Sequence, residues 1–313
     1  MTRSKSEDRQ PQAAAGRTTD NPWGTTTSSS TSGGDRSLAR RSRPRFPDPP
    51  PVSQHGPARV VAMCNQKGGV GKTTTAINLG AAIADFGRRV LLVDFDPQGA
   101  LSVGLGINPL QLDLTIYNVL MDRGVDAQDI LLKTNVDGMD LLPSNIDLSA
   151  AEVQLVGEVA REQMLGRALV PVIPEYDVVL IDCQPSLGLL VVNALTASHG
   201  AIIPLECEFF ALRGVALLMD TIQKVQERLN PQLEIEGLLA TMYDARTLHA
   251  REVLSRIVEA FSDRVFHTVI SRTVRFPDAT VAGEPITKFD TSSAGANAYR
   301  ELAKEVLGRW NTG

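Results

Sequence analysis

The feature that most constrains this chain is a glycine- and lysine-rich segment, residues 64–75, which follows a short apolar run and opens a helical pattern. It reads Cys-Asn-Gln-Lys-Gly-Gly-Val-Gly-Lys-Thr-Thr-Thr. Its glycines permit a tight turn whose backbone N–H groups point inward, and the N-terminus of the following helix attracts negative charge. In such a loop Lys72 would reach the β- and γ-phosphates of a nucleotide, and the Thr73 hydroxyl would bind Mg²⁺. The segment therefore predicts a phosphate-binding loop between a strand and a helix.

The loop departs from the common phosphate-binding pattern at its first position. That pattern requires glycine where this chain has Gln66, and the chain supplies a second lysine, Lys67, just before the paired glycines. A chance glycine-rich turn is the alternative interpretation, but the strand before it and the helix after it disfavour that alternative.

From Arg59 onward, short apolar runs alternate with helical patterns. Several runs are apolar on both faces, as in the strands of a covered parallel sheet. We predict strands at residues 60–64, 90–94, 139–142, 178–182, 201–204, 236–242 and 265–270, and helices at 72–86, 149–156, 187–197, 210–229, 248–261 and 294–307. This alternation predicts a doubly wound α/β domain with a mostly parallel sheet, helices on both faces and ligands at the carboxyl ends of the strands.

Residues 1–58 lack this alternation, being rich in Ser, Thr, Gly, Pro and Arg. We predict a disordered basic tail over 1–58 and a nucleotide-binding domain over 59–313, because the tail cannot bury enough surface to offset its chain entropy. The tail carries nine Lys and Arg against five acids, whereas residues 59–313 carry 22 against 31. The tail is either a solubilising extension or an arm for nucleic acid or a partner, and the acidic domain could bind nucleic acid only through a local patch.

Other features exclude several classes of protein. No run approaches eighteen consecutive apolar residues and the N-terminus is polar, so we expect no membrane span, no secretion signal and a cytoplasmic location. Cys64, Cys183 and Cys207 lie far apart with no Cys-x-x-Cys pair, which disfavours a disulfide framework or a single-chain zinc site. We expect reduced, mostly buried thiols.

Residues 67–73, Lys-Gly-Gly-Val-Gly-Lys-Thr, resemble the deviant Walker A motif of the ParA/MinD class of P-loop ATPases. Residues 90–99, Val-Leu-Leu-Val-Asp-Phe-Asp-Pro-Gln-Gly, resemble the second motif of that family, and residues 177–186, Asp-Val-Val-Leu-Ile-Asp-Cys-Gln-Pro-Ser, resemble its Walker B strand. The last motif departs from the family at Gln184, where Pro is common. The resemblance extends over residues 59–307 and is closest to the chromosomal ParA (Soj) ATPases.

The resemblance implies a role for each matching residue. Lys67 would cross a dimer interface to the phosphates of the ATP in the other subunit, and Asp96 would orient or activate the attacking water. Asp182 would hold Mg²⁺, usually through water, with Thr73 as a ligand and Asp94 supporting the metal shell. The expected catalytic residues are Lys67, Lys72 and Asp96; the expected nucleotide contacts are Gly68, Gly69, Val70, Gly71, Lys72, Thr73, Thr74 and Met242.

Two later segments extend the match. Residues 203–214 resemble the strand and loop before a long helix in this family, with Glu206 where Gln is usual. Residues 241–247 resemble the loop on the purine side of the nucleotide, which would place Met242 near adenine; a core position is the alternative for this side chain.

The resemblance also implies an activity. Such ATPases bind ATP and Mg²⁺, form a homodimer when ATP-bound, and hydrolyse ATP slowly to ADP and phosphate. The dimer binds DNA without sequence preference, and a ParB-like protein stimulates hydrolysis and release, which supports chromosome segregation at the nucleoid. The candidate DNA contacts here are Arg246, Arg251, Arg256, Arg272 and Arg275, although a solvated, internally paired helix face is the alternative for these arginines.

The region expected to face DNA departs from the family. Glu284 stands where Lys is usual, and Ser292 and Ala294 stand where two arginines are usual. Each lost phosphate contact weakens binding and its salt dependence. Either the basic tail compensates, or the protein is a nucleotide switch that acts mainly through protein partners, for example in replication-initiation control or chromosome compaction.

Two further alternatives are disfavoured. A MinD-like membrane role requires a basic amphipathic C-terminal helix, but Glu301 and Glu305 offset the cations of this one, so no membrane partner is expected. An iron–sulfur reductase requires cysteines in matching motifs, which Cys183 and Cys207 do not occupy.

Overall fold

The computed structural model describes residues 44–208 and 211–310. Its centre is a seven-stranded sheet in the order β3-β4-β2-β5-β1-β6-β7. All neighbouring strands are parallel except the short edge pair of β3 and β4. The strands are β1 Arg59–Met63, β2 Val90–Phe95, β3 Leu132–Lys133, β4 Met139–Leu142, β5 Val178–Cys183, β6 Gly200–Glu206 and β7 Glu234–Thr241.

Helices cover both faces of the sheet. They are α1 Lys72–Ala84, α2 Ala100–Gly104, α3 Ile116–Met121, α4 Leu148–Gln154, α5 Met164–Leu169, α6 Leu189–Ala197, α7 Ala211–Arg228, α8 Leu248–Phe261, α9 Arg275–Ala282, α10 Ile286–Phe289 and α11 Ala294–Trp310. Helices α1 and α11 share one apolar core with the sheet, and α6, α7 and α8 share the other. The predicted doubly wound α/β architecture is therefore confirmed.

Strands β2 and β5 occupy the centre of the sheet because most of their side chains, on both faces, are apolar. Every residue of β2 and β5 is buried, although each strand ends in polar sequence at its carboxyl edge. The glycine at 80 brings α1 close to this sheet, since a Cβ there would lie 2.8 Å from a methyl group of Leu92. Close packing of α1 fixes the position of the loop that precedes it.

Most predicted elements are present, with ends shifted by a few residues. The predicted strand at 265–270 is wrong. Phe266 and Ile270 donate backbone hydrogen bonds to β7, at 3.0 Å and 2.9 Å, but the amides between them turn away. Those of His267 and Thr268 donate to the buried carboxylate of Glu305 in α11, at 2.8 Å and 3.0 Å, so no continuous ladder forms.

Residues 44–58, which we call the strap, lie against the domain although the sequence assigned them to the tail. The imidazole Nδ1 of His55 lies 2.7 Å from the Asp177 carboxylate, and the Gly56 amide donates to the same group at 3.0 Å. Nearer the start of the strap, the Lys304 ammonium lies 2.8 Å from a carboxylate oxygen of Asp48, and the Phe46 ring packs edge-on against His267. The remainder of the predicted tail, residues 1–43, lies outside the described residues.

All three cysteines are buried as free thiols. Burial raises the pKa of the Cys64 thiol to about 12 and that of Cys207 to about 11, and it raises the pKa of Cys183 as well. The thiols are therefore protonated near neutral pH. Within the two described ranges, no helix has the length and apolar character needed to cross a membrane.

Candidate nucleotide site

The loop between β1 and α1 has the backbone of an anion cradle. Gly69 and Gly71 adopt left-handed conformations, with φ of 74° and 86°, that other residues adopt only under strain. Gly71 is also the residue that caps the N-terminus of α1, and its carbonyl accepts the first helical hydrogen bond, from Thr75, at 2.9 Å. A glycine turn of this kind that leads into a helix N-terminus is an arrangement that can bind an anion.

Lys72 and Thr73 begin α1 beneath this loop. Lys72 is only 6% exposed, and its ammonium donates to the carbonyl oxygen of Lys67 at 3.3 Å, so the side chain folds back over the loop. The Thr73 hydroxyl donates to Oδ2 of Asp182 at 2.6 Å. The structure thus brings together the predicted phosphate lysine and the predicted metal pair.

Asp182 is the most perturbed carboxyl group of the site. Burial, with a smaller contribution from the neighbouring Asp94, raises its pKa to about 8. Its Oδ1 is buried and has no hydrogen-bond partner within the described residues. An unsatisfied buried carboxylate oxygen beside a threonine hydroxyl is a donor set that suits Mg²⁺. The residues therefore fit the predicted metal site.

Asp94 lies opposite Asp182 in the register of β2 and β5, but it is engaged elsewhere. Its Oδ2 accepts from the Ser102 amide at 2.9 Å and from the Ser102 hydroxyl at 2.7 Å, and its Oδ1 accepts from the Asp96 amide at 3.3 Å. Burial raises its pKa to about 6 despite these bonds. Asp94 therefore holds α2 against the sheet through its hydrogen bonds with Ser102. The sequence pattern did not reveal this role of Ser102.

Asp96 follows β2 at the same carboxyl edge. Its carboxylate accepts from the Gln98 amide at 2.9 Å, and its carbonyl accepts from the Gly99 amide, also at 2.9 Å. These bonds form a tight turn that keeps the half-buried carboxylate at the edge of the sheet with Asp94 and Asp182. The predicted water-orienting residue thus lies on the nucleotide side of the fold.

Lys67 is the exposed lysine of the loop, at 47% of its side chain. Its ammonium lies 2.6 Å from the carboxylate of Glu208 and 3.2 Å from that of Glu206, at the end of β6. The hydrogen bond that Lys67 donates to Glu208 raises the pKa of Lys67. The sequence pattern singles out Glu206 but not Glu208, whose only signal is its position after a strand at the carboxyl edge of the sheet.

A cavity of about 470 Å³ adjoins the loop on the side of β7 and α9. Gly71, Thr74, Met242, Phe276 and Tyr299 are among its lining residues. Met242 has a left-handed backbone with φ of 50°, and its side chain lines this cavity rather than the core. A second cavity of about 500 Å³, lined by Arg89, Lys133 and Tyr176, contains none of the predicted site residues.

Comparison with known proteins places this site in a family. Residues 58–235 match the model of the AAA domain family. The chain is 64% identical over 265 residues to an uncharacterized protein of Mycobacterium tuberculosis (strain ATCC 25618 / H37Rv), covering 85% of this chain and 83% of that one. It is 48% identical over 248 residues to the sporulation initiation inhibitor protein Soj of Bacillus subtilis (strain 168), covering 79% and 98%. The chain belongs to the ParA/Soj family of chromosome-partitioning ATPases.

Solved structures agree with this assignment of a ParA/Soj ATPase at the level of the fold. A structure of cobyrinic acid a,c-diamide synthase from Mycobacterium smegmatis, with bound ADP and magnesium, has a TM-score of 0.73 and 44% sequence identity. The match covers 82% of this chain and 96% of that one. The phosphate loop of this ParA/Soj chain thus lies in a fold for which nucleotide and Mg²⁺ binding are known in a related protein.

The candidate DNA contacts of this ParA/Soj ATPase differ in their surroundings. Arg246 pairs with Asp244 at 2.8 Å, Arg272 with Glu206 at 2.6 Å, and Arg275 with Asp290 at 3.5 Å. Arg251 and Arg256 lie exposed on α8. Three of the five candidate arginines therefore have a carboxylate against their guanidinium groups, whereas two present their charge on a helix surface.

Proposed function

We propose that this protein is an ATPase that dimerises when ATP-bound, binds DNA without sequence preference as a dimer, and is released when a ParB-like partner stimulates hydrolysis. The observation that carries this proposal is the pairing of Thr73 with Asp182 beneath a loop that presents Lys67 at an exposed edge. Such an arrangement supports a phosphate site, with the Lys67 ammonium at the exposed edge beside it and paired there with Glu206 and Glu208. The proposed setting is chromosome segregation at the nucleoid, in the cytoplasm.

Different residues of the site would bind the phosphates, the Mg²⁺, the attacking water and the adenine. The backbone amides of the loop and the buried Lys72 would hold the phosphates of ATP, with Thr73 and Asp182 holding Mg²⁺. Mg²⁺, when bound there, supplies positive charge that neutralises the phosphate oxygens. Asp96 would orient the water at the open side of the site, and Met242 would contact the adenine from the adjoining cavity.

The reaction is expected to be slow in the isolated protein. Phosphoryl transfer depends on complete positioning of charge and water. In the single subunit this positioning is incomplete, because Lys67 is ion-paired with Glu206 and Glu208 of its own chain. We propose that dimerisation transfers Lys67 to the phosphates held by the second subunit. Hydrolysis of that ATP then removes the contact that holds the two subunits together, and they separate.

A second candidate function follows from the paired arginines. Because Arg246, Arg272 and Arg275 each face a carboxylate, the body of the protein offers less free positive charge than its arginine content indicates. This favours a nucleotide switch that acts mainly through protein partners, in replication-initiation control or chromosome compaction.

One titration separates the two functions. The full chain is titrated with random-sequence duplex DNA, with ADP or with a slowly hydrolysed ATP analogue, over a series of salt concentrations. Binding that requires the ATP analogue and weakens steeply with salt would support the DNA function. Dimerisation by light scattering without DNA binding would support the protein-partner function.

Two variants of the full chain complete the experiment. Lys67→Ala serves as the matched control, because it should leave the loop intact and remove the residue proposed to act across the dimer. A second variant replaces the tail cations by Gln, at Arg3, Lys5, Arg9, Arg17, Arg36, Arg40, Arg41, Arg43 and Arg45. Loss of DNA binding in that variant, with its ATP-dependent dimerisation intact, would assign the DNA contact to the tail rather than to α8.

A further inference from the structure

Glu206 contacts two cations that belong to different parts of the molecule. Its Oε2 lies 3.2 Å from the ammonium of Lys67 in the phosphate loop, and its Oε1 lies 2.6 Å from the guanidinium of Arg272. One carboxylate therefore neutralises charge at the nucleotide edge and at the candidate DNA surface together. The family resemblance expects the uncharged Gln at this position, which could not do so.

Glu206 is the most enclosed of the three carboxylates that pair with these arginines. The Glu206 side chain is 13% exposed, compared with 29% for each of Asp244 and Asp290, and its distance to the guanidinium is the shortest of the three pairs. Charges that are shielded from water interact more strongly and are less screened by salt. Glu206 therefore competes strongly with phosphate for Arg272.

The backbone also prevents Arg272 from moving away with its loop. The Arg272 amide donates to the carbonyl of Tyr243 at 3.2 Å, and the Tyr243 amide donates to the carbonyl of Ile270 at 3.0 Å. These bonds attach the loop to the end of β7. Arg272 can therefore reach phosphate only by rotating its side chain away from Glu206.

We propose that Glu206 sets the polyanion affinity of this surface by competing with phosphate for Arg272. The inference rests on the proposed DNA function, whose polyanion it takes as the ligand. It makes Glu206 a residue that determines how much of the arginine charge is available to DNA. The carboxylate lowers affinity in the protein as it stands, and its neutralisation releases one cation per subunit.

The test is a double-mutant cycle of Glu206→Gln and Arg272→Gln in the full chain. Affinity for random-sequence duplex DNA is measured with a slowly hydrolysed ATP analogue across a salt series. Glu206→Gln should tighten binding at least about fivefold at about 0.1 M salt and steepen the salt dependence by about 0.9 per subunit. Arg272→Gln should have little effect alone and should abolish the gain in the double variant.

Glu208→Gln is the matched control, because Glu208 contacts Lys67 but forms no hydrogen bond with Arg272 among those found in the described residues. Equal tightening by Glu208→Gln would show that release of Lys67 is the cause, and it would overturn the proposal. Unchanged DNA affinity in Glu206→Gln would overturn it as well. So would a gain that survives in the double variant.

A second probe separates failure of this inference from failure of the proposed function. If all variants dimerise with the ATP analogue and none binds DNA, the DNA function is wrong. Elution from immobilised heparin then tests the competition for Arg272 directly. Later elution of Glu206→Gln than of the wild type, reversed in the double variant, supports the proposal; identical elution overturns it.

Discussion

Asp182 carries an electrostatic cost that the metal-free protein cannot avoid. Its pKa is raised to about 8 by burial and by Asp94, whereas an aspartate in an unfolded chain has a pKa of about 3.9. Between these values the folded state binds a proton that the unfolded state does not. Stability therefore falls as pH rises from about 4 to about 8.

This cost predicts the pH profile of one variant. We expect Asp182→Asn, without nucleotide and with a metal chelator, to lose less stability than the wild type between pH 4 and 8, because the amide cannot titrate. Thermal unfolding at constant ionic strength measures the difference. Parallel profiles for the two proteins would mean that Asp182 is ionised throughout, contrary to the effect of its burial.

The two lysines of the loop should behave differently when each is removed. Lys72 is buried over the loop, so we expect Lys72→Ala to weaken ATP binding at least about tenfold, since charged hydrogen bonds contribute about 1.5–3 kcal/mol. Lys67 points to the exposed edge, so Lys67→Ala should bind ATP nearly as the wild type but form no ATP-dependent dimer. Calorimetry and light scattering measure these outcomes. Normal dimerisation of Lys67→Ala would contradict the proposed transfer between subunits.

At the scale of elements, the segment that was wrongly predicted as a strand depends on a glycine in its neighbour. The Phe266 ring lies directly over Gly237 of β7, where an added Cβ would approach ring carbons to 2.6 Å. Phe266 is also almost fully buried, so the ring has little room to move. The glycine thus makes the space that seats residues 265–270 against the sheet.

This close approach predicts that Gly237→Ala lowers stability by about 1–3 kcal/mol through overpacking. The matched control is Gly308→Ala in α11, where an added Cβ meets no atom within 4 Å. That variant should gain up to about 1 kcal/mol from the lower chain entropy of alanine. Denaturant unfolding measures both. Equal effects of the two substitutions would rule out the ring contact as the cause.

The pattern of apolar residues along the sequence predicted those strands that depend on neighbouring residues alone. The strands at 60–64, 90–94 and 178–182 are continuous apolar runs, and the structure confirms a strand at each position. Residues 265–270 are apolar except at His267 and Thr268, but their backbone is diverted by Glu305, which is distant in sequence and lies on α11. The partners of Lys67 and Arg272 depend in the same way on the end of β6. Such contacts are determined by tertiary packing, which no local pattern contains.

For the whole molecule, the strap joins elements that lie far apart in the sequence. It is attached near Asp177, just before β5 begins, and it passes Lys304 of α11 on its way to His267. Asp177 accepts hydrogen bonds from the Gly56 and Arg89 amides as well as facing His55. The pKa of Asp177 is lowered by these hydrogen bonds despite its partial burial. The Asp177 carboxylate thus secures this end of the strap together with the Ala58 amide, which donates to the Ile173 carbonyl at 3.1 Å.

We expect Asp177→Asn to lower stability by about 1–3 kcal/mol, because an amide accepts these bonds less strongly than a carboxylate. Residues 44–58 should then be cleaved faster by a non-specific protease. Nucleotide binding should be unchanged, since Asp182 lies at the other end of β5. Digestion followed by mass spectrometry, with ADP affinity as the control, measures both. Unaltered cleavage of the strap would show that its other contacts suffice.

The buried cysteines make the protein well suited to site-directed labelling. Because Cys64, Cys183 and Cys207 are enclosed and their pKa values are raised, maleimide reagents near neutral pH would find few reactive thiolates on the native protein. A thiol introduced at the exposed Ser292 would then take up a fluorophore alone. Energy transfer between two such labelled subunits could follow their association and separation through each cycle of ATP.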